Sequence, residues 1–173
     1  MHLKKLRKMT NRTIIQIAFT NSKLFDNIFS RTFPLFQLAF ACQQIKHNKL
    51  LKNGYDAIGF SQGGLFLRWV SQTCGSNPDM INLMTIGSPH RGVSHVPLCG
   101  STCDYIIRYL QISHFAYITD IVTDFITFMA YWHDIKYEAL YQSTTLTAYM
   151  NYKFLPISDN VKTFSMIQFT ADT

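Results

Sequence analysis

No apolar run in this sequence is long enough to cross a bilayer. A spanning helix needs roughly 18 consecutive, mostly apolar residues, and every stretch here is broken sooner. The first, Ile14-Ile15-Gln16-Ile17-Ala18-Phe19, is interrupted by Gln16 and falls short of the roughly 7–15 apolar residues of a secretory signal core. Neither a transmembrane segment nor a convincing signal peptide is expected, and residues 13–20 read as a strand. Acid is scarce at the start, where Asp26 is the first acidic residue. Lys4, Lys5, Arg7, Lys8 and Arg12 hold five of the 16 basic residues, leaving 11 against 10 acidic ones elsewhere. The net charge of +6 is thus mostly a basic leader, residues 1–12, expected to lack order. A balance confined to a leader is not a nucleic-acid footprint, so no nucleic-acid partner is expected. Charged residues make only 15% and hydrophobic ones 47%, which fits a globular chain with much buried or lipid-facing surface. At 173 residues there is room for one domain and a sizeable core, but not for two.

Cysteine is sparse. Cys42, Cys74, Cys99 and Cys103 are even in number, compatible with two disulfides in an oxidising compartment or with four reduced thiols. His95, Cys99 and Cys103 lack a fourth ligand at zinc-site spacing, so no metal is expected. Asn11-Arg12-Thr13 is a glycosylation sequon, useful only in a secreted chain.

What is present centres on Tyr55-Asp56-Ala57-Ile58-Gly59-Phe60-Ser61-Gln62-Gly63-Gly64. A short apolar run ends at Gly59, Ser61 sits between two glycines, and a helical stripe (Leu65, Phe66, Trp69, Val70) follows. This is Gly-x-Ser-x-Gly in the strand–turn–helix context of a nucleophile elbow. The bend should hold Ser61 in a strained conformation with Oγ pointing out of the sheet. The backbone N–H of Gln62 can then face a tetrahedral oxyanion. Side chains at Gly59 or Gly63 should crowd the neighbouring strands or the helix start. Gly75-Ser76-Asn77-Pro78 stops the helix, and Ile81–Gly87 reads as the next buried parallel strand. Strand, elbow, helix and strand make one right-handed βαβ unit.

Upstream, Leu35 to about Leu51 reads as a helix with Leu38, Ala41, Cys42 and Ile45 on one face. Downstream, Gly87-Ser88-Pro89-His90-Arg91-Gly92 leaves the carboxyl end of a strand, the ligand edge of open α/β sheets. His90 therefore belongs near Ser61, as a residue shaping the loop floor rather than a catalytic base. Residues 104–152 carry no strand signal. Ile118, Val122, Phe125, Met129 and Trp132 mark a helical face in this insertion, suited to core packing or to a lipid-facing wall. Phe164–Phe169 reads as a final strand.

Taken together these residues resemble the palmitoyl-protein thioesterases, α/β-hydrolases that remove long-chain acyl groups from cysteine thiols. The resemblance runs from about Phe40 to the end. It is closest in the elbow, where Gln follows the nucleophile, and in Met80-Ile81-Asn82-Leu83, Tyr131-Trp132-His133-Asp134 and Phe164-Ser165-Met166-Ile167-Gln168-Phe169. It implies Ser61 as nucleophile and the Gln62 amide as oxyanion donor. Disulfides Cys42–Cys74 and Cys99–Cys103, a lysosomal or secretory location, S-acylated proteins or peptides as substrates and no cofactor also follow from it. The family's His-Gly loop finds no match before Ile14, Asp172 aligns with a non-catalytic position, and no histidine follows His133. The expectation is a partial α/β-hydrolase fold, a single incomplete domain over 13–173 truncated at both ends. Such a chain should be inactive by itself and poorly soluble where strand edges are left unpaired. A lipase or carboxylesterase, or a non-catalytic remnant, are the alternative readings.

Overall fold

The structure, a computed structural model, describes residues 2–20, 22, 24–26, 34–94, 102, 105–106, 109, 129–152, 157 and 160–169. Helix α1 (His2–Thr10) is followed by residues 13–18, which form no strand. α2 (Pro34–His47) and a 3-10 turn (Lys49–Leu51) lead into β1 (Tyr55–Phe60). α3 (Gln62–Thr73) and β2 (Met80–Ile86) complete the central unit. After two 3-10 turns come α4 (Glu138–Thr144), α5 (Leu146–Tyr152) and β3 (Thr163–Ile167).

The sheet among the described residues has the order β1-β2-β3 and is parallel throughout. Gly59 lies opposite Thr85 and Phe60 opposite Ile86, while Ile86 in turn lies opposite Ile167. Alternation along β1 sends Ala57 and Gly59 toward α3 and leaves Ile58 and Phe60 on the open face. α3 lays Leu65, Trp69 and Val70 onto β1 and β2, and these side chains are fully buried. The i, i+4 spacing of Leu65 and Trp69 is what turns both toward the sheet. From α2, Leu38, Ala41 and Ile45 join the same core. That is the face expected from the sequence, with Cys42 as its covalent link to α3.

The Cys42–Cys74 disulfide is present, with Cα atoms 5.2 Å apart. By chain entropy a closed loop of this length contributes about 3–4 kcal/mol. Cys99 and Cys103, whose pairing the resemblance implies, lie outside the described residues, as does His95.

Two expectations are corrected at the amino end. The leader is helical from His2 to Thr10 rather than unordered. Its end is fastened where Arg7 Nη2 donates to Ile14 O (2.6 Å) and Arg12 bridges Asp56 of β1 (3.0 Å). Residues 13–20, expected as a strand, run without ladder pairing, and the apolar alternation there is spent on partial burial of Ile14, Ile15 and Ile17. In the insertion, Ile118, Val122 and Phe125 lie outside the described residues. Trp132 is fully buried, so for this residue core packing holds rather than a lipid-facing wall. No helix among the described residues is long and apolar enough to cross a membrane.

Candidate active site

β1 ends at Phe60, and Ser61 makes the bend into α3 with φ 50° and ψ −129°. A serine gains nothing sterically in this region, so the conformation is imposed by the elements on either side. On one side Ser61 N–H still donates to Ile86 O (2.8 Å), extending the sheet ladder by one residue. On the other, Ser61 O accepts from Gly64 N–H (3.0 Å), the first turn of α3. The chain thus passes from ladder to helix within a single residue. Ser61 is exposed and occupies the N-cap position, yet its side chain makes no capping hydrogen bond. Ordinary N-cap serines spend Oγ on the helix; here Oγ makes no such bond.

So abrupt a bend brings the backbone of α3 against β1. A Cβ at Gly59 would sit 2.5 Å from Gly64 Cα and 2.6 Å from Gly63 O and Gly64 N. Gly63 differs from expectation, because a Cβ there would meet nothing within 4 Å. The second close approach belongs to Gly64, whose added Cβ would collide with Ser88 Oγ and come within 2.9 Å of Thr85 Cβ. Sequence reasoning missed Gly64 by following the motif's spacing, although the Gly63-Gly64 doublet carried the signal.

Gln62 opens α3 beside Ser61, and its Oε1 accepts a long hydrogen bond from the buried Tyr131 hydroxyl (3.4 Å). The first backbone N–H groups of a helix have no intrahelical acceptor and carry the positive end of its dipole. The Gln62 N–H lies at this positive end of α3, adjacent in the chain to Ser61. Electrostatically, the turn suits an anion forming next to Oγ.

The loop after β2 packs behind the elbow. His90 Nε2 pairs with Thr85 Oγ1 (2.8 Å), and its ring meets Phe164 edge-on at 5.6 Å. Its carbonyl accepts from Arg68 Nη1 (3.3 Å) and Asn151 Nδ2 (3.1 Å). His90 thereby ties β2, α3 and α5 together, and its ring bonds to Thr85 rather than to Ser61. Gly92, at φ +91°, lets the chain pass beside His133, and Val93 pairs with Trp132. His133 is engaged on both ring nitrogens, with Arg91 O and with Glu138 Oε2, each at 2.6 Å, and stacks on Tyr141.

Burial, and then the nearby Arg68 guanidinium, push His90 down to about 4 from 6.5. Nδ1 has no partner among the described residues, so a proton added there would be buried without an acceptor. The folded ring is neutral where the unfolded one still takes up a proton, so the unfolded state binds more protons between about pH 6.5 and 4. Stability should therefore fall as pH drops through that window, by about 1–2 kcal/mol once partial exposure is discounted. Urea midpoints of the parent and His90→Gln check this. The variant is expected to show a flatter slope, and an identical slope would exclude His90 as its source.

Among the described residues no group of three His, Cys, Asp or Glu side chains could hold a metal. The family model described as Palmitoyl protein thioesterase matches residues 2–172, well beyond the resemblance that began near Phe40. Palmitoyl-protein thioesterase 1 of Caenorhabditis elegans is 43% identical over 97 residues, covering 54% of this chain and 31% of that protein. The palmitoyl-protein thioesterase-dolichyl pyrophosphate phosphatase fusion 1 of Schizosaccharomyces pombe is 46% identical over 66 residues, covering 38% of this chain and 10% of that protein. The matched chain thus spans a third or less of the length of these two relatives.

Proposed function

This chain belongs to the palmitoyl protein thioesterase family, and from that premise we propose that it carries the nucleophile for hydrolysis of long-chain acyl thioesters on protein cysteines. The observation that carries the reading is the bend at Ser61, an exposed hydroxyl with φ 50° between a parallel strand and a helix start. Ser61 Oγ attacks the thioester carbonyl carbon and gives up its proton to a base. The oxyanion forms beside the Gln62 N–H. The C–S bond then breaks, the thiolate leaves and takes up a proton, and the acyl group rests on Ser61 until water removes it. A thiol ionises near pKa ~8.5, so its expulsion demands less of a general acid than amide cleavage does.

A palmitoyl tail offers on the order of 10 kcal/mol gross at ~0.8 kcal/mol per methylene. Apolar surface is available beside the bend, where Phe60 and Ile58 are 61% and 52% exposed. The Cys42–Cys74 bond fits the oxidising, lysosomal or secretory setting implied by the family. Among the described residues no imidazole bonds to Ser61, and we propose that residues 1–173 alone turn over slowly or not at all.

Covalent trapping tests the nucleophile apart from turnover. Serine sites stripped of triad members retain roughly 10³–10⁴-fold catalysis from the oxyanion hole and binding alone. A long-chain alkyl fluorophosphonate is therefore expected to modify Ser61 slowly but ahead of every other serine, read by peptide mass spectrometry. The adduct should vanish in Ser61→Ala. Labelling spread evenly over the serines, or absent from Ser61, would sink the proposal.

A further inference from the structure

Helix α1 carries a charge that the fold does not explain. Lys4, Lys5 and Lys8 are exposed and have no acidic partner among the described residues. The cations that fasten this end of the chain are others, Arg7 to Ile14 O and Arg12 to Asp56. The helix holds no acid in its first turn, and Arg7 and Lys8 in its last turn suit the negative end of its dipole. Lys4 and Lys5 stand in its first half, where the same dipole disfavours cations. The Lys residues share an arc, since Lys4 and Lys8 are one turn apart with Lys5 adjoining. Leu6 and Met9 lie on another arc, Leu6 half-buried and Met9 71% exposed.

We propose that α1 docks this protein on an anionic bilayer surface, the three lysines at the headgroups and Met9 at their edge. A basic helix with an apolar arc suits a membrane surface. At 1.5 Å per residue the helix is about 13 Å long. So short a patch, with an exposed methionine at its edge, fits headgroups better than the groove of a nucleic acid. The proposal draws on the substrate reading above only in preferring a bilayer, where acylated proteins reside.

The test uses residues 1–173, vesicles and no acylated substrate, so its outcome is independent of the chemistry at Ser61. Co-sedimentation is measured at low salt with millimolar phosphatidylcholine vesicles, pure or containing one-third phosphatidylserine. Binding is expected to the anionic vesicles alone. Each lysine near the surface is worth about fivefold, so Lys4→Gln/Lys5→Gln/Lys8→Gln should weaken it about 10²-fold. Gln equals Lys in helix propensity, and Arg7 and Arg12 stay in place, so circular dichroism should be unchanged. Equal binding to neutral vesicles or an unaffected triple variant overturns the proposal. So does tighter binding to duplex DNA or RNA homopolymer than to anionic vesicles at the same salt.

Discussion

Turnover of an S-palmitoyl peptide by residues 1–173 is expected to run about 10⁴-fold or more below that of a serine hydrolase with a complete triad. The magnitude is the known cost of losing a triad member, close to 5–6 kcal/mol of barrier. Three described histidines are committed elsewhere. His47 is bonded to Gln43 O at the far end of α2, which leads to the start of β1 and so to the edge away from Ser61. His90 is held by Thr85, and His133 by Arg91 O and Glu138. With no imidazole bonded to Ser61 among the described residues, Oγ is expected to attack as a neutral hydroxyl, with only the oxyanion and binding terms to help it. Ser61→Ala should lower this residue of activity further, and O-palmitoyl substrates should be cleaved no faster than thioesters. The readout is thiol release at saturating peptide. Rapid release abolished by Ser61→Ala would keep the nucleophile and refute the missing relay. Rapid release unaffected by it would end the elbow account altogether.

Alanine at position 59 should cost about 4 kcal/mol or more, while alanine at position 63 should change stability by less than about 1 kcal/mol. The contacts that Gly59 would gain are all with backbone, at 2.5–2.6 Å from Gly63 and Gly64, so no rotamer change relieves them. Either β1 or the start of α3 must move, and both are anchored by Trp69 and Leu65 in the core. Costs of this size are the exceptional end of point substitutions and require such a named clash. Gly63 meets nothing and lies in the first turn of α3, where alanine is the better helix former. Gly64→Ala falls between them, since Ser88 Oγ can rotate away but Thr85 Cβ cannot. Urea denaturation of the three variants checks the order. Equal effects at 59 and 63 would mean that α3 does not begin this close to the strand.

The elbow, the two strands around it and the buried face of α2 were legible because each is written in local periodicity. Ala57 and Gly59 alternate with Ile58 and Phe60, and Leu65, Trp69 and Val70 repeat at helical spacing. Ser61 and Gln62 could be placed on the turn for the same reason. What escaped was non-local. Nothing in the sequence near Gly64 names Thr85 or Ser88, which reach it only through the parallel register of β1 with β2. Nor does the segment 88–92 announce that Asn151 and Arg68 converge on the His90 carbonyl. The leader misled in the other direction. Its charge was read as disorder, whereas Arg7 and Arg12 give it fixed attachments. Residues 13–18 have strand composition, but composition cannot supply a ladder partner.

The Cys42–Cys74 bond has one further consequence, which is topological. It closes a ring of polypeptide that encircles all of β1, the bend at Ser61 and the whole of α3. A protease cutting once within that interval, for instance at exposed Lys49 or Lys52, leaves a single covalent molecule in which the turn at Ser61 stays joined to the amino-terminal piece through Cys74.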